Sequence, residues 1–237
     1  MKSEYKHIAK YYDSINTTKD YKSDSEKIRV WIREYKTSRG REMLDAACGT
    51  GNHIQYMKRY FNITGLDLDP YMLRMARSKY PDIKFIRDDM RTFQMNNQFD
   101  VIVCLFSAIG HLKTYKNLSK AIINFSRHLK QGGVLFIESF ITENRFIPGY
   151  LAADFVNGPN LKIARLAVSK KKNNIMYIDF RFLVGEKGKI RYFTERMQIA
   201  MFDNRRVLNI MKKAGLRAKC IKNGLMEARD LYIGVKP

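Results

Sequence analysis

From Met43 to Phe140 short apolar runs alternate with stretches of helical period, the pattern of a parallel sheet wrapped by helices. The runs are MLDAA at 43–47, ITGLDL at 63–68, IKFI at 83–86, FDVIVCLF at 99–106 and VLFIESF at 134–140. The fourth is apolar nearly throughout, as a central strand covered on both faces must be. Between them the pattern predicts an amphipathic stretch through Ile54, Met57 and Phe61, and a helix opened by Pro70. A third helix, from about Asn117 to Leu129, is predicted to stop at Gly132 and Gly133, since glycine tolerates the left-handed conformation of a helix end.

On either side the pattern changes. Residues 1–40 predict a helical cap, two helices over roughly 4–12 and 21–36 joined by DSINTTKD. Beyond the fifth strand, KIARLAVSK at 162–170, IMYIDFRFLVG at 175–185 and IRYFTERMQIAMF at 190–202 alternate with period two around turn-rich KNN and EKGK, predicting three antiparallel strands. A helix from Asn204 to Ala214 ends at Gly215, and strands 216–222 and 230–235 close the sheet as a hairpin. The expected architecture is α/β: a seven-stranded sheet, an N-terminal helical cap and a three-strand antiparallel insertion after the fifth strand. It is read as a single domain, with the cap at 1–40, the core at 41–141, the insertion at 142–202 and the last helix and hairpin at 203–237.

Composition agrees with a globular protein. Hydrophobic residues are 45% and charged residues 28% of 237. The start, MKSEYKHIAKYYDS, lacks the apolar stretch of a secretory signal, and no segment approaches the roughly 20 apolar residues of a membrane span, so the chain is read as cytoplasmic. Cys48, Cys104 and Cys220 have no spacing that suggests a zinc site or a disulfide framework. The net charge of +21 is spread through every segment, the longest basic run being Lys170, Lys171 and Lys172. A nucleic-acid footprint would be clustered, so such a partner stays open but is not favoured; a phosphorylated or nucleotide-linked small substrate accounts for the charge equally well.

The chemistry concentrates in LDAACGTG, Leu44 to Gly51, which places a strand, a glycine-rich turn and a helix in succession. Gly49 and Gly51 let a ligand approach backbone that a Cβ would block. Ile54 stands where a dinucleotide fingerprint wants its third glycine, which weakens the pyrophosphate reading. With Asp45 just upstream, the turn suits instead a cationic sulfonium cofactor whose amino-acid tail carries an ammonium. Asp67 ends the second strand, where a carboxylate can accept from both hydroxyls of a ribose. Asp89 and Met90 follow the third strand at the same edge.

DAACGTG at 45–51, GLDLDPYML at 65–73, DDMRTF at 88–93 and FDVIVCLFSAIGHL at 99–112 resemble the class I S-adenosylmethionine (SAM)-dependent methyltransferases. The resemblance implies a Rossmann-like methyltransferase sheet with SAM as cofactor. It places Gly49 and Gly51 along the methionine moiety, Asp45 near its ammonium, Asp67 on the ribose, Met72 on the adenine and Asp89 with Met90 at the adenine edge. Ala46, Leu68 and Leu105, at the same strand ends, are counted with the cofactor site.

The acceptor must be read after the fourth strand. Methylation of a base amine calls for a Pro-Pro-aromatic turn, and this chain has SAIGHL at 107–112. Carbon methylation of a pyrimidine needs a cysteine nucleophile, and Cys104 lies inside a strand as an inert buried thiol. His111, just past that strand, is placed to accept a proton from an amine or orient it. GHL at 110–112, ESFITENRFIPGYLAADFV at 138–156 and YYDSINTTKDY at 11–21 resemble the sugar N-methyltransferases that dimethylate nucleotide-linked aminodeoxy sugars. That resemblance implies that Tyr12 and Tyr21 close over the cofactor, with Tyr12 joining His111 as a catalytic candidate. It implies further that Tyr150 borders the acceptor and that Arg229 approaches a diphosphate. Arg165, Arg181 and Glu195 lie on the inserted strands facing pocket or solvent, and Arg165 is kept as a substrate-binding candidate. The expected function is transfer of methyl from SAM to the amine of a small molecule, a nucleotide-linked amino sugar being the specific expectation. Glycine-like or other small amine or hydroxyl acceptors, or an RNA target, are the alternatives, and a homodimer is left open.

Overall fold

The computed structural model describes residues 5–237. The elements, in chain order, are α1 (Tyr12–Ile15), α2 (Tyr21–Tyr35), β1 (Glu42–Ala46), α3 (Ile54–Met57), β2 (Asn62–Asp67), α4 (Pro70–Lys79), β3 (Lys84–Arg87), β4 (Phe99–Cys104), α5 (Tyr115–His128) and β5 (Leu129–Glu138). After these come β6 (Leu151–Asn157), β7 (Leu161–Lys172), β8 (Ile175–Glu186), β9 (Lys189–Ala200), α6 (Asn204–Lys213), β10 (Arg217–Ile221) and β11 (Leu231–Val235).

Seven strands form one sheet in the order β10-β11-β5-β4-β1-β2-β3. β1 to β5 run parallel, and β11 joins β5 antiparallel and pairs in turn with β10, as the closing hairpin requires. β1 sits between β2 and β4, so the chain crosses over in opposite directions from it. The crevice at the carboxyl ends of β1 and β4 is therefore where such a sheet opens to a ligand. Both faces are packed, by α5 and α6 through Leu118, Ile122, Phe125, Val207 and Met211, and by α2 and α4 through Ile28, Ile32, Leu73 and Ala76. That double burial is why β4 is buried at every position. Helix starts carry ordinary caps: Asp20, Asp69, Thr114 and Asp203 accept backbone N–H groups at α2, α4, α5 and α6.

The structure differs from expectation in four places. The first cap helix is not one helix over 4–12: a 3₁₀ turn at Ala9–Tyr11 leads into the short α1, and residue 4 lies outside the described residues. The stretch from Ile54 to Phe61 is helical only through Met57. Gly132 and Gly133 do not end α5, which stops at His128, but lie inside β5, in a bulge where the pairing with β4 shifts. Gly132 is left-handed (φ +71°), and a Cβ there would come 2.7 Å from the backbone N of Ser38, so close passage of the 37–38 segment demands glycine. Finally, the insertion holds a fourth strand. β6 pairs antiparallel with β7, giving a separate sheet of order β6-β7-β8-β9.

That second sheet is two-faced. Its inner face buries Ile163, Phe182 and Val184 against Ile8, Tyr11 and Ile15 of the cap. Its outer face leaves Leu151, Phe155, Leu166, Leu183 and Tyr192 more than half or half exposed, and the register puts Phe155, Ala164, Leu183 and Tyr192 in one row across four strands. No helix among the described residues is long and apolar enough to cross a membrane.

Candidate active site

At the carboxyl end of β1 the chain turns through Ala47 (φ 60°), Gly49 (φ 57°) and Gly51 (φ 80°). A Cβ added at Gly49 would meet nothing within 4 Å, so backbone here borders open space. Two carboxylates flank it. Asp67 Oδ2 accepts the Gly49 N–H at 2.7 Å and Oδ1 the Asp69 N–H at 2.8 Å. Each oxygen keeps a further lone pair for a ligand hydroxyl. Burial raises the Asp67 carboxyl, with the two backbone donors acting against the rise. Asp45, 4% exposed, is pushed up to about 8 by burial and by the neighbouring Asp67 charge. Two buried carboxylates beside an open, Cβ-free turn suit a cationic ligand that also carries hydroxyls, which is the donor set SAM presents.

The cap closes this edge through hydrogen bonds. Asp13 accepts from Thr50 Oγ1 at 2.6 Å, Asn52 Nδ2 at 2.9 Å and Lys79 Nζ at 2.8 Å, and Lys79 also donates to Asn52 Oδ1 at 2.7 Å. Thr50 and Asn52 belong to the glycine turn, so α1 is tied directly to it. Tyr12 follows: burial raises its phenol well above the ordinary value, Tyr5, Tyr21 and Asp67 add to the rise and Arg229 opposes it. These five side chains therefore share one neighbourhood. Tyr21 stands edge-on to His53 (4.9 Å between centroids) and Phe106 (6.2 Å). Burial raises its phenol too, with the Asn52 amide acting against the rise.

Past β4 the backbone is held in an unusual shape. Phe106 (φ 51°) and Ser107 (φ 62°) are both left-handed without being glycine, each at a cost of roughly 1 kcal/mol or more. They lead into a 3₁₀ turn at Ala108–Leu112 that carries His111. Its Nε2 lies 3.2 Å from Tyr5 Oη, the two rings are 6.1 Å apart, and Tyr5 packs edge-on to Tyr12 at 6.0 Å. The geometry thus gathers an open glycine turn, a pair of carboxylates and, past β4, an imidazole paired with Tyr5, which packs in turn on Tyr12.

Residues 43–133 match the family described as "Methyltransferase domain". Over 219 residues, 92% of this chain and 92% of the relative, the sequence is 33% identical to the dTDP-3-amino-3,4,6-trideoxy-alpha-D-glucopyranose N,N-dimethyltransferase of Streptomyces venezuelae. The chain belongs to the SAM-dependent methyltransferases. Among solved structures, DesVI of S. venezuelae superposes with a TM-score of 0.88 at 31% identity, covering 96% of this chain and 95% of that one. SAM-bound CalS10, an amino pentose methyltransferase from Micromonospora echinaspora, gives 0.85 at 29% identity, covering 96% and 95%.

The methyltransferase departs from the sequence reading in the details of several side chains. Ala46 (0% exposed) and Leu105 (3%) point into the two cores of the sheet, which leaves only their backbone at the crevice. Met72 is buried on α4, whereas Leu68 is 46% exposed beside Asp67. Asp89 stands at the expected edge, but Arg91 engages both its carboxylate oxygens and holds it below the usual carboxylate range. Met90 packs against the main core. Cys104 is fully buried and its thiol is raised by burial, so it is no nucleophile.

On the acceptor side, Arg165 faces inward and donates from Nε to Asp154 Oδ2 at 2.8 Å, while Arg181 lies on the outer face. Arg229 lies with its Cζ 4.9 Å from the Phe106 ring and 5.2 Å from that of Phe140. Tyr150 is the residue the structure does not bring in: it is 58% exposed and makes none of the ring contacts that join Tyr5, Tyr12 and His111. Its position beside the exposed β6 strand, not the crevice, is the reason.

Tyr5, Asp13, Lys19 and Glu138 were missed from sequence. Only Glu138 carried a signal, as a charge closing the otherwise apolar run VLFIE.

Proposed function

We propose that this methyltransferase transfers methyl groups from SAM to the amine of a nucleotide-linked amino sugar, twice in succession. The observation that carries this reading is the likeness, over nine-tenths of both chains, to an enzyme named for N,N-dimethylation of a dTDP-amino sugar. Bound SAM would supply an electrophilic methyl on a positively charged sulfur. In that arrangement the turn at Gly49 and Gly51 admits the cofactor's tail, Asp45 balances its ammonium and Asp67 accepts its ribose hydroxyls. Leu68 and Met72 border the adenine, with Asp89 and Met90 at its edge, and Tyr12 and Tyr21 exclude water.

In-line displacement needs alignment more than acid or base strength, but the amine must present a free lone pair. His111 is assigned to take its proton, with Tyr12 beside it. Arg229 and Arg165 are assigned to the diphosphate, whose attraction also gives the basic surface a use. The test is incubation with SAM and a panel of dTDP-amino sugars followed by mass spectrometry. A gain of roughly 14 or 28 Da on the sugar supports the reading. A gain only on glycine-like, hydroxyl or RNA acceptors overturns it.

The protein is further read as a homodimer. Supporting this, the outer row Phe155, Ala164, Leu183 and Tyr192 lies on an exposed antiparallel face that a twofold axis would lay on its own copy. Light scattering of the wild type and of Leu183→Asp checks it, with a dimer expected from the first and a monomer from the second.

A further inference from the structure

Glu138 is the last residue of β5 and its side chain is fully buried. One oxygen, Oε2, accepts the backbone N–H of Phe106 at 2.5 Å. The other, Oε1, makes no hydrogen bond among the described residues, yet it has two cations at ion-pair range: Lys19 Nζ at 3.9 Å from the cap and Arg229 Nη1 at 3.8 Å from the closing hairpin. Lys19 is itself buried and bonded to Asp24. The residue just after β5 adds a second anchor, since Ser107 Oγ donates to the Ser139 carbonyl at 2.8 Å.

The two residues so anchored, Phe106 and Ser107, are the two consecutive left-handed positions. Neither is glycine, and a non-glycine residue stays left-handed only where its surroundings over-determine it. The turn they make sets the start of the 3₁₀ segment that carries His111. We propose that Glu138 is a positioning residue: its carboxylate holds the Phe106–Ser107 turn and thereby sets where the His111 imidazole stands. Lys19 from the cap and Arg229 from the hairpin flank that carboxylate on its other side. The inference rests on the assignment of His111 to the reacting amine.

Two variants separate length from charge. Glu138→Asp keeps the charge for Lys19 and Arg229 but draws the acceptor back from the Phe106 N–H by one methylene. Glu138→Gln keeps the acceptor oxygen in place and removes the charge. With the dTDP-3-amino sugar named for the S. venezuelae relative as acceptor, Glu138→Asp is expected to lower kcat by about 10- to 100-fold, because misplacement by an ångström can cost on the order of 100-fold. The Kd for SAM should change less than about threefold, since the carboxylates and the glycine turn are untouched. Glu138→Gln should retain most of kcat. In the background His111→Ala, Glu138→Asp should slow the reaction no further, the non-additivity of two residues that act as one.

NMR supplies a readout that needs no acceptor. In Glu138→Asp the His111 ring resonances should move and the Phe106 amide should exchange faster, and in Glu138→Gln both should stay near the wild type. If the wild type does not methylate this sugar, the acceptor reading fails and NMR alone judges Glu138. The reverse order of the two variants, additive losses with His111→Ala, or unmoved His111 resonances in Glu138→Asp would each overturn the proposal.

Discussion

Tyr5 Oη and His111 Nε2 lie 3.2 Å apart, joining the start of the cap to the turn that follows the central strand. The pairing occupies one imidazole nitrogen, and under the proposed function it would orient the ring toward the acceptor amine. His111→Ala is expected to lower kcat strongly while leaving SAM affinity, measured by calorimetry, nearly intact. Tyr5→Phe should cost only about fivefold, the worth of one ordinary hydrogen bond. Loss of thermal stability in His111→Ala without loss of turnover would make the histidine structural.

Asp67 is held rigidly by the Gly49 and Asp69 N–H groups. Removing it leaves those donors and, under the proposed function, the ribose hydroxyls of SAM without their acceptor. Asp67→Ala should therefore weaken SAM binding by about 1–3 kcal/mol. Asp67→Asn, which keeps one acceptor oxygen, should lose less, as titration calorimetry of both variants would reveal.

Asp45 predicts a pH dependence. Its carboxyl is pushed up to about 8 by burial and by Asp67, and the thiols of Cys48 and Cys104 are raised by burial as well. A carboxyl must ionise to balance an ammonium, so the affinity for SAM should rise as pH increases through about 8, with proton release on binding below it. For the apoprotein the sign is opposite. A folded value raised above the usual 3.8 contributes stability that is present below that value and lost as pH climbs towards about 8. Asp45→Asn should flatten both profiles, which calorimetry in buffers of different ionisation enthalpy and thermal melts between pH 5 and 9 would resolve.

Asp13 gathers Thr50, Asn52 and Lys79 onto the cap. The carboxylate and Lys79 are both partly exposed, so the ion pair itself is worth little. The geometry matters more, because these bonds hold the cap against the glycine turn. Asp13→Ala is expected to speed SAM release several-fold in stopped-flow measurements while shifting the melting temperature by only a few degrees, about 1 kcal/mol of stability.

Much of this protein is written in local pattern. The apolar run from Phe99 to Cys104, the Pro70 helix start and the turn from Asp45 to Gly51 each declare their element from a few neighbouring residues, because burial on two faces, a fixed φ and the absence of a Cβ are local constraints. From those, the sheet, the crevice at its carboxyl edge and the place of Asp67 follow. β6 escaped because its alternation, with Leu151, Ala153 and Phe155 turned outward, has no buried face of the usual kind to announce it. Tertiary structure alone decided the rest. It brought Tyr5 to His111 across 106 positions, Asp13 to the glycine turn across 37 and Glu138 to Phe106 across 32. It also sent Tyr150 to the surface and turned Gly132 into part of a strand. Periodicity records which side of its own element a residue occupies; which distant polar group waits there is set only when the elements pack, and the buried hydrogen bonds then select among arrangements that local pattern leaves equal.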